Sequence, residues 1–135
     1  MFEKKLDTMS QFHYCLLLLS LSAMSFAQNF QWAKQFGQDG VQRINSVAVD
    51  SEGNTYCFGI TEAATTDLDP GTGIFSLTHP GVQWTGNKDI FLVKLDTQGN
   101  FLWGKGLASS FNSSNTAHKV IVGDDGYIYT LRSSY

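Results

Sequence analysis

The sequence predicts an all-β fold built of antiparallel four-stranded sheets that repeat along the chain. Residues 30–34 (FQWAK) return as residues 101–105 (FLWGK), and residues 47–56 return in altered form as residues 120–129, each time after about 72 positions. Self-similarity at a fixed period is typical of repeat architectures. The segments around these copies have strand-like sequences, and no segment after residue 27 has convincing helical periodicity.

The first element of the chain is a predicted signal peptide, residues 1–27. Lys4 and Lys5 give it a basic start, residues 14–24 form an apolar run, and the small residues Ser25 and Ala27 precede the predicted cleavage after Ala27. The apolar run is shorter than the roughly 20 residues that a membrane anchor needs. We therefore expect an exported protein, secreted or at the cell surface, with no integral membrane span after signal removal. The alternative is a buried helix of the folded domain.

Charge and cysteine content narrow the classes of partner. The net charge is −3, and it stays so after removal of the signal, which carries two acidic and two basic residues. No basic run occurs, so no nucleic acid is expected as a partner. Cys15 falls within the signal, which leaves Cys57 as a small buried residue on a strand, without an internal disulfide. Whether Met1 or Met9 is the true start is left open.

Two short turns of the same type connect the predicted strands. The turns at residues 50–53 and 96–99 each begin with Asp, which caps the backbone two residues on, and end with Gly, which accepts a left-handed conformation. Such a turn closes a three-residue hairpin loop. In a third copy Gly123 replaces the aspartate, so we expect a weaker turn with Asp124 shifted into the capping role.

Four strands assemble around these turns. Strands near residues 44–50 and 54–60 form one hairpin, strands near 89–96 and 100–106 form another, and residues 61–88 form a long connection between them. Both faces of the resulting antiparallel sheet carry apolar residues, so each face must be covered. Without helices in the mature chain, the cover must be more sheet.

Four-stranded sheets stacked face to face are the blades of a β-propeller. The sequence places one blade at about residues 37–106 and the start of the next at 107–135, so residues 28–135 hold about one and a half blades of an incomplete repeat region. Trp32 is expected in a strand equivalent to the last strand of a blade, around Trp103, and it needs the remaining blades of the full-length chain as partners. Such a fragment should expose unpaired edges and apolar faces, and should be unstable or associate. A β-sandwich built from one repeat pair and an open solenoid are the alternatives.

Several motifs resemble the SBBP family of β-propeller repeats, whose members form seven-bladed propellers. They are WAK at residues 32–34, the segment VAVDSEGNTY at 47–56, the segment DIFLVKLDTQGNFLW at 89–103, and DLDPGTG at 67–73. The resemblance covers nearly all of residues 30–131. It implies an extracellular or cell-surface propeller, often bacterial, and it implies no catalytic mechanism.

Asp67 and Asp69 are two positions apart, a spacing that calcium-binding loops use. Such a loop also needs an oxygen ligand at its fifth position and a Glu at its twelfth, which here are Gly71 and Thr78. The favoured interpretation is therefore a turn that stabilises the long connection, with a partial calcium site as the alternative.

No catalytic, cofactor-binding or metal-binding residues are predicted. His79 and His118 have no neighbouring ligand at metal spacing and are interpreted as surface or loop residues. Trp32 and Trp103 recur at the same repeat position, which indicates packing. Trp84, in the connecting loop, is a candidate ligand-contact residue.

We therefore expect a non-enzymatic, exported interaction protein that binds protein or glycan through its loops, with no cofactor. The alternative is a glycan-active enzyme on a propeller scaffold whose catalytic residues lie outside this segment. Glycosidases need two opposed carboxylates, and many acidic residues here already have turn roles.

Overall fold

The computed structural model describes residues 29–37, 40–78, 88–108 and 115–134. The chain divides into two units, Met1–Phe30 and Gln31–Tyr135, and all strands of the described residues belong to the second. In these described ranges, no helix is long and apolar enough to cross a membrane. The predicted signal peptide, His79 and Trp84 lie outside the described residues.

The described part of the chain is all-β and consists of eight strands. Their bounds are β1 Gln42–Val49, β2 Thr55–Thr61, β3 Thr65–Asp67, β4 Ser76–Thr78, β5 Asp89–Leu95, β6 Phe101–Ala108, β7 Asn115–Val122 and β8 Ile128–Ser134. Strands β1, β2, β5 and β6 form an antiparallel four-stranded sheet in the order β1-β2-β5-β6, while β3–β4 and β7–β8 are separate hairpins. The predicted fold class, the four-stranded blade and the hairpin that follows it are confirmed.

Both aspartate turns have the predicted geometry. Gly53 and Gly99 have φ angles of 86° and 78°, in the left-handed region that glycine tolerates best. The Gly53 N–H donates to the Asp50 carbonyl at 3.0 Å, and the Gly99 N–H donates to the Asp96 carbonyl at the same distance. These bonds reverse the chain between β1 and β2 and between β5 and β6.

The face of the four-stranded sheet that packs against β7 is called the front face. Its buried apolar residues are Tyr56, Phe58, Ile60, Ile90 and Leu92. Ala117 and Val120 of β7 pack against it and are themselves buried. The Val120 N–H also donates to the Ser46 hydroxyl at 3.1 Å, in a buried position. The two sheets therefore stack face to face, as consecutive propeller blades do.

The opposite, back face of the sheet is covered differently from the prediction. The buried residues of this face are Cys57, Phe91, Val93 and Leu95. The side chains that cover them come from outside the four-stranded sheet and are those of Trp32, Phe36, Leu68, Phe75 and Leu77. Three of these belong to the connection between β2 and β5, where β3 and β4 form a short hairpin. The predicted connection is thus partly structured, because its apolar residues are needed to bury the back face.

Residues 31–37 contain Trp32, which was expected in a strand that pairs with strands of further blades. They form no strand, because none of the eight described strands runs alongside them to supply a hydrogen-bonded ladder. Isolated hydrogen bonds hold them in place instead. The Trp32 indole N–H donates to the Thr97 carbonyl at 3.1 Å, and the Gly37 N–H donates to the Asp67 carbonyl at 3.2 Å. The packing role of Trp32 is confirmed.

Candidate functional site

An open cleft of about 520 Å³ lies where the β1–β2 turn meets the β7–β8 turn. Its lining comes from both hairpins and from β5, and consists of Val49, Asp50, Ser51, Glu52, Tyr56, Lys94, Val122, Gly123, Asp124 and Gly126. The cleft exists because the two sheets stack, which places equivalent turns of successive repeats next to one another.

Asp50 is the centre of the cleft floor. Its Oδ1 accepts hydrogen bonds from the backbone N–H groups of Glu52 at 3.0 Å and Asn54 at 2.8 Å. Its Oδ2 accepts from the Asn54 side-chain amide at 2.9 Å and from the Tyr56 hydroxyl at 3.1 Å. Lys94 Nζ lies 3.2 Å from the same oxygen, and the side chains of Lys94 and Asp50 are only 18% and 12% exposed. The ion pair is therefore shielded from solvent.

These contacts keep Asp50 and Lys94 ionised. Desolvation raises the pKa of the Asp50 carboxyl, but hydrogen bonds from Asn54, Lys94 and Tyr56 outweigh it and hold the pKa well below its usual range. The hydrogen bond with Tyr56, and after it that with Asp50, raises the pKa of Lys94 against desolvation. Lys94 also lies 5.0 Å from the centroid of the Tyr56 ring, within range of a cation–π interaction. Near neutral pH, Asp50 is therefore a poor base and Lys94 a poor nucleophile.

The turn between β7 and β8 corrects one expectation. Gly126 takes the left-handed conformation with φ 80°, and its N–H donates to the Gly123 carbonyl at 2.9 Å, as in the other two turns. The capping carboxylate is that of Asp125, whose Oδ1 accepts from the Tyr127 N–H at 3.0 Å. Asp124, expected in this role, lies on the cleft lining instead.

The rim of the cleft differs in charge from its floor. Glu52 and Asp124 are exposed at the tips of the two turns. Glu52 accepts a hydrogen bond from the Asn54 side-chain amide at 3.2 Å, which orients its carboxylate. With Asp50 and Lys94 neutralising each other, the two rim carboxylates give the cleft a net negative charge.

The Asp67 and Asp69 carboxylates act as turn caps. Asp67 Oδ1 accepts from the backbone N–H groups of Asp69 at 3.0 Å and Phe75 at 2.9 Å, and Asp69 Oδ1 accepts from the Gly71 N–H at 2.7 Å. The predicted turn role is thereby confirmed. Among the described residues, no group of three or more His, Cys, Asp or Glu side chains could hold a metal ion.

The remaining residues considered in the sequence analysis lie apart from the cleft and from one another. Cys57 is a free, buried thiol on β2, and desolvation raises its pKa to about 11. His118 is exposed on β7, with Nε2 at 2.9 Å from the Ser133 hydroxyl oxygen. Both positions agree with the sequence predictions. Trp103 packs at the edge of the front face, with its ring 6.1 Å from that of Tyr56.

Sequence reasoning did not find Lys94 and Tyr56 as partners of Asp50. Tyr56 could have been found, because an equivalent tyrosine, Tyr129, follows the β7–β8 turn. Lys94 carries no such signal, since its place beside Tyr56 depends on the register between β2 and β5.

This geometry defines the class: the part of the chain that the structure describes is all-β and has propeller-blade architecture, with a four-stranded blade stacked on the hairpin of the next. Residues 31–62 match the family model described as SBBP, beta-propeller repeat, so this stretch is similar to the repeats of that family. The match spans the segment before β1, the Asp50 turn and β2. Searches of curated proteins and of solved structures each gave no match.

Proposed function

We propose that the protein is an exported interaction module that binds protein or glycan at the loop end of its blades and catalyses no reaction. The cleft between the β1–β2 and β7–β8 turns carries this proposal. It is open and polar, and residues of two successive repeats line it. In repeat proteins, turns that meet at one end of the stacked sheets commonly form the binding surface.

The chemistry of the cleft favours binding over catalysis. Asp50 and Lys94, the charged groups on its floor, are bonded to each other and to Tyr56. Their pKa values are displaced away from neutrality, whereas a general acid or base works best with a pKa near the working pH. The exposed carboxylates of Glu52 and Asp124 remain for ligand contact, and they suit sugar hydroxyls or the basic side chains of a protein partner.

Chemical-shift mapping tests the binding proposal. The ¹⁵N-labelled protein is titrated with a panel of neutral oligosaccharides and a panel of basic peptides. A ligand of the proposed kind shifts the amide signals of Glu52 and Asp124 and leaves that of Gln98, on the β5–β6 turn, in place. Glu52→Gln with Asp124→Asn should weaken the response. If every ligand leaves the cleft signals unchanged, the cleft is not the binding site.

The same samples test whether the chain itself cleaves glycans. Mass spectrometry of the oligosaccharides after long incubation should recover them intact. Shortened products that are absent from a sample without protein would support the enzyme instead.

Export is supported by the apolar run and small-residue pattern of residues 1–27. N-terminal sequencing of the exported product should begin at Gln28. A product that retains residues 16–19 would contradict the signal peptide.

A further inference from the structure

The cleft between the β1–β2 and β7–β8 turns already holds one basic side chain of the protein itself. Lys94 Nζ lies 3.2 Å from Asp50 Oδ2 and 5.0 Å from the centroid of the Tyr56 ring. A carboxylate and the face of an aromatic ring are both groups that attract an ammonium. The Lys94 side chain is only 18% exposed, so the floor of the cleft holds a cation largely out of contact with water.

The cleft has room for a second basic side chain above this pair. Its volume of about 520 Å³ lies within the range of roughly 300–1,000 Å³ that ligand pockets occupy. Val49 and Val122, the last residues of β1 and β7, line it from the two stacked sheets. Apolar walls of this kind suit the methylene stem of a lysine or an arginine, whose charged head stays near water.

The rim of the cleft supplies negative charge from both sides. Glu52 belongs to the β1–β2 turn and Asp124 to the β7–β8 turn, and both line the cleft. The Asn54 side-chain amide donates to Glu52 Oε2 at 3.2 Å and so orients one of the two carboxylates. A guanidinium or ammonium that enters between the turns therefore meets a carboxylate of each hairpin, and such charge-assisted hydrogen bonds are the strong ones.

We propose that the partner bound at this cleft is a protein segment with a basic residue, whose side chain enters between Glu52 and Asp124 and lays its stem against Val49 and Val122. This inference rests on the proposed binding function and names the class of its partner. Contact with one basic side chain at an open rim is weak, and it weakens further as salt screens the charges.

A neutral glycan fits this cleft less well. Its hydroxyl groups carry no charge, so the negative rim gives them no preference over water. Among the described residues that line the cleft, the aromatic ring is that of Tyr56, which is 5% exposed and already faces Lys94. Its hydroxyl is also engaged, since it donates to Asp50.

Two peptides that differ only in charge test the proposal. The ¹⁵N-labelled full chain is titrated with the acetylated and amidated pentapeptide Gly-Ser-Arg-Ser-Gly, and separately with the same peptide carrying citrulline, the neutral isostere of arginine. The arginine peptide should shift the amide signals of Glu52 and Asp124 in a saturable way, and the citrulline peptide should not. Added sodium chloride should lower the affinity for the arginine peptide.

Charge-removing variants place the contact on the rim. Glu52→Gln and Asp124→Asn should each weaken binding of the arginine peptide by up to about fivefold, as expected for exposed ion pairs. Glu62→Gln is the matched control, because it removes the same charge just after the far end of β2, where Glu62 faces Lys88. Its affinity should equal that of the parent.

The outcomes separate this inference from the proposed function. Equal responses to the arginine and citrulline peptides would overturn the basic partner but keep the cleft as a binding site. A neutral oligosaccharide that shifts the cleft signals, when the arginine peptide does not, would do the same. Equal weakening by Glu52→Gln and Glu62→Gln would place the basic side chain elsewhere and overturn the inference. Cleft signals that respond to no ligand would overturn both proposals.

Discussion

The hydroxyl of Tyr129 donates to Asp125 at 2.7 Å, and this pair reproduces the contact between Tyr56 and Asp50 in the preceding hairpin. The two carboxylates do not occupy equivalent positions, since Gly123 aligns with Asp50. A Cβ atom on Gly123 would meet the Asp125 carboxylate and would lie 3.1 Å from the Tyr129 ring. The side chain of Asp125 thus folds back toward the place of the missing aspartate, and the hydrogen bond to the tyrosine is kept.

Asp50→Asn should destabilise the protein more than Asp96→Asn at pH 7. Both aspartates cap equivalent turns, but the ion pair with Lys94 belongs to Asp50. Chemical denaturation of both variants and the parent measures the difference. Equal free energies of unfolding for the two variants would show that the ion pair contributes nothing to stability.

The acid dependence of stability should change in the same variant. The fold lowers the pKa of Asp50, so its ionised carboxylate stabilises the folded state at pH values above the pKa of the unfolded state, which is about 4. This stabilisation is lost as the pH falls through the pKa of the folded state. The parent should therefore lose stability below about pH 4, and Asp50→Asn should lose less over that interval. Parallel acid profiles for parent and variant would contradict the lowered pKa.

Gly99→Ala should cost more stability than Gly126→Ala. Both glycines have positive φ, of 78° and 80°, so each substitution carries backbone strain on the order of 1–3 kcal/mol. A Cβ atom at Gly99 would also lie 2.8 Å from the Trp32 ring and 2.9 Å from Lys34 Cε, whereas one at Gly126 meets nothing within 4 Å. Urea denaturation midpoints compare the two, and the reverse order would contradict the packing of Trp32 on this turn.

Ser46→Ala should destabilise the protein by about 1–3 kcal/mol, because it leaves the buried Val120 N–H without its acceptor. Ser51→Ala, at an exposed turn position, is the control for the loss of a serine hydroxyl. Thermal unfolding measures both. If the Ser46 variant melts with the control, the hydrogen bond between the two sheets is not present in solution.

Cys57 should react with a thiol reagent at pH 8 only when the protein unfolds. Burial raises its pKa to about 11, so the reactive thiolate is scarce, and the side chain is 6% exposed. The absorbance change with an aromatic disulfide reagent, in buffer and in urea, measures this. Cys57→Ala gives the background from other thiols. Rapid reaction of the native parent above that background would contradict the buried position.

The sequence predicted those features that depend on neighbours along the chain. Asp50 and Gly53 lie within one turn, and their roles follow from local backbone chemistry. The partnership of Asp50 with Lys94 could not be predicted, because it requires the exact pairing of Tyr56 with Lys94 across two strands. The β3–β4 hairpin was missed because its strands have only three residues each, and packing on the back face stabilises it more than local propensity.

The hydrogen bond from Val120 to Ser46 has a mechanical consequence. Apolar contacts between stacked sheets are non-directional, so they resist separation better than they resist sliding along the strands. A single buried N–H with one acceptor has only one favourable position along that direction. The hydrogen bond to Ser46 therefore fixes the position of β7 along β1: a shearing force on the two sheets must break this bond before β7 can slide.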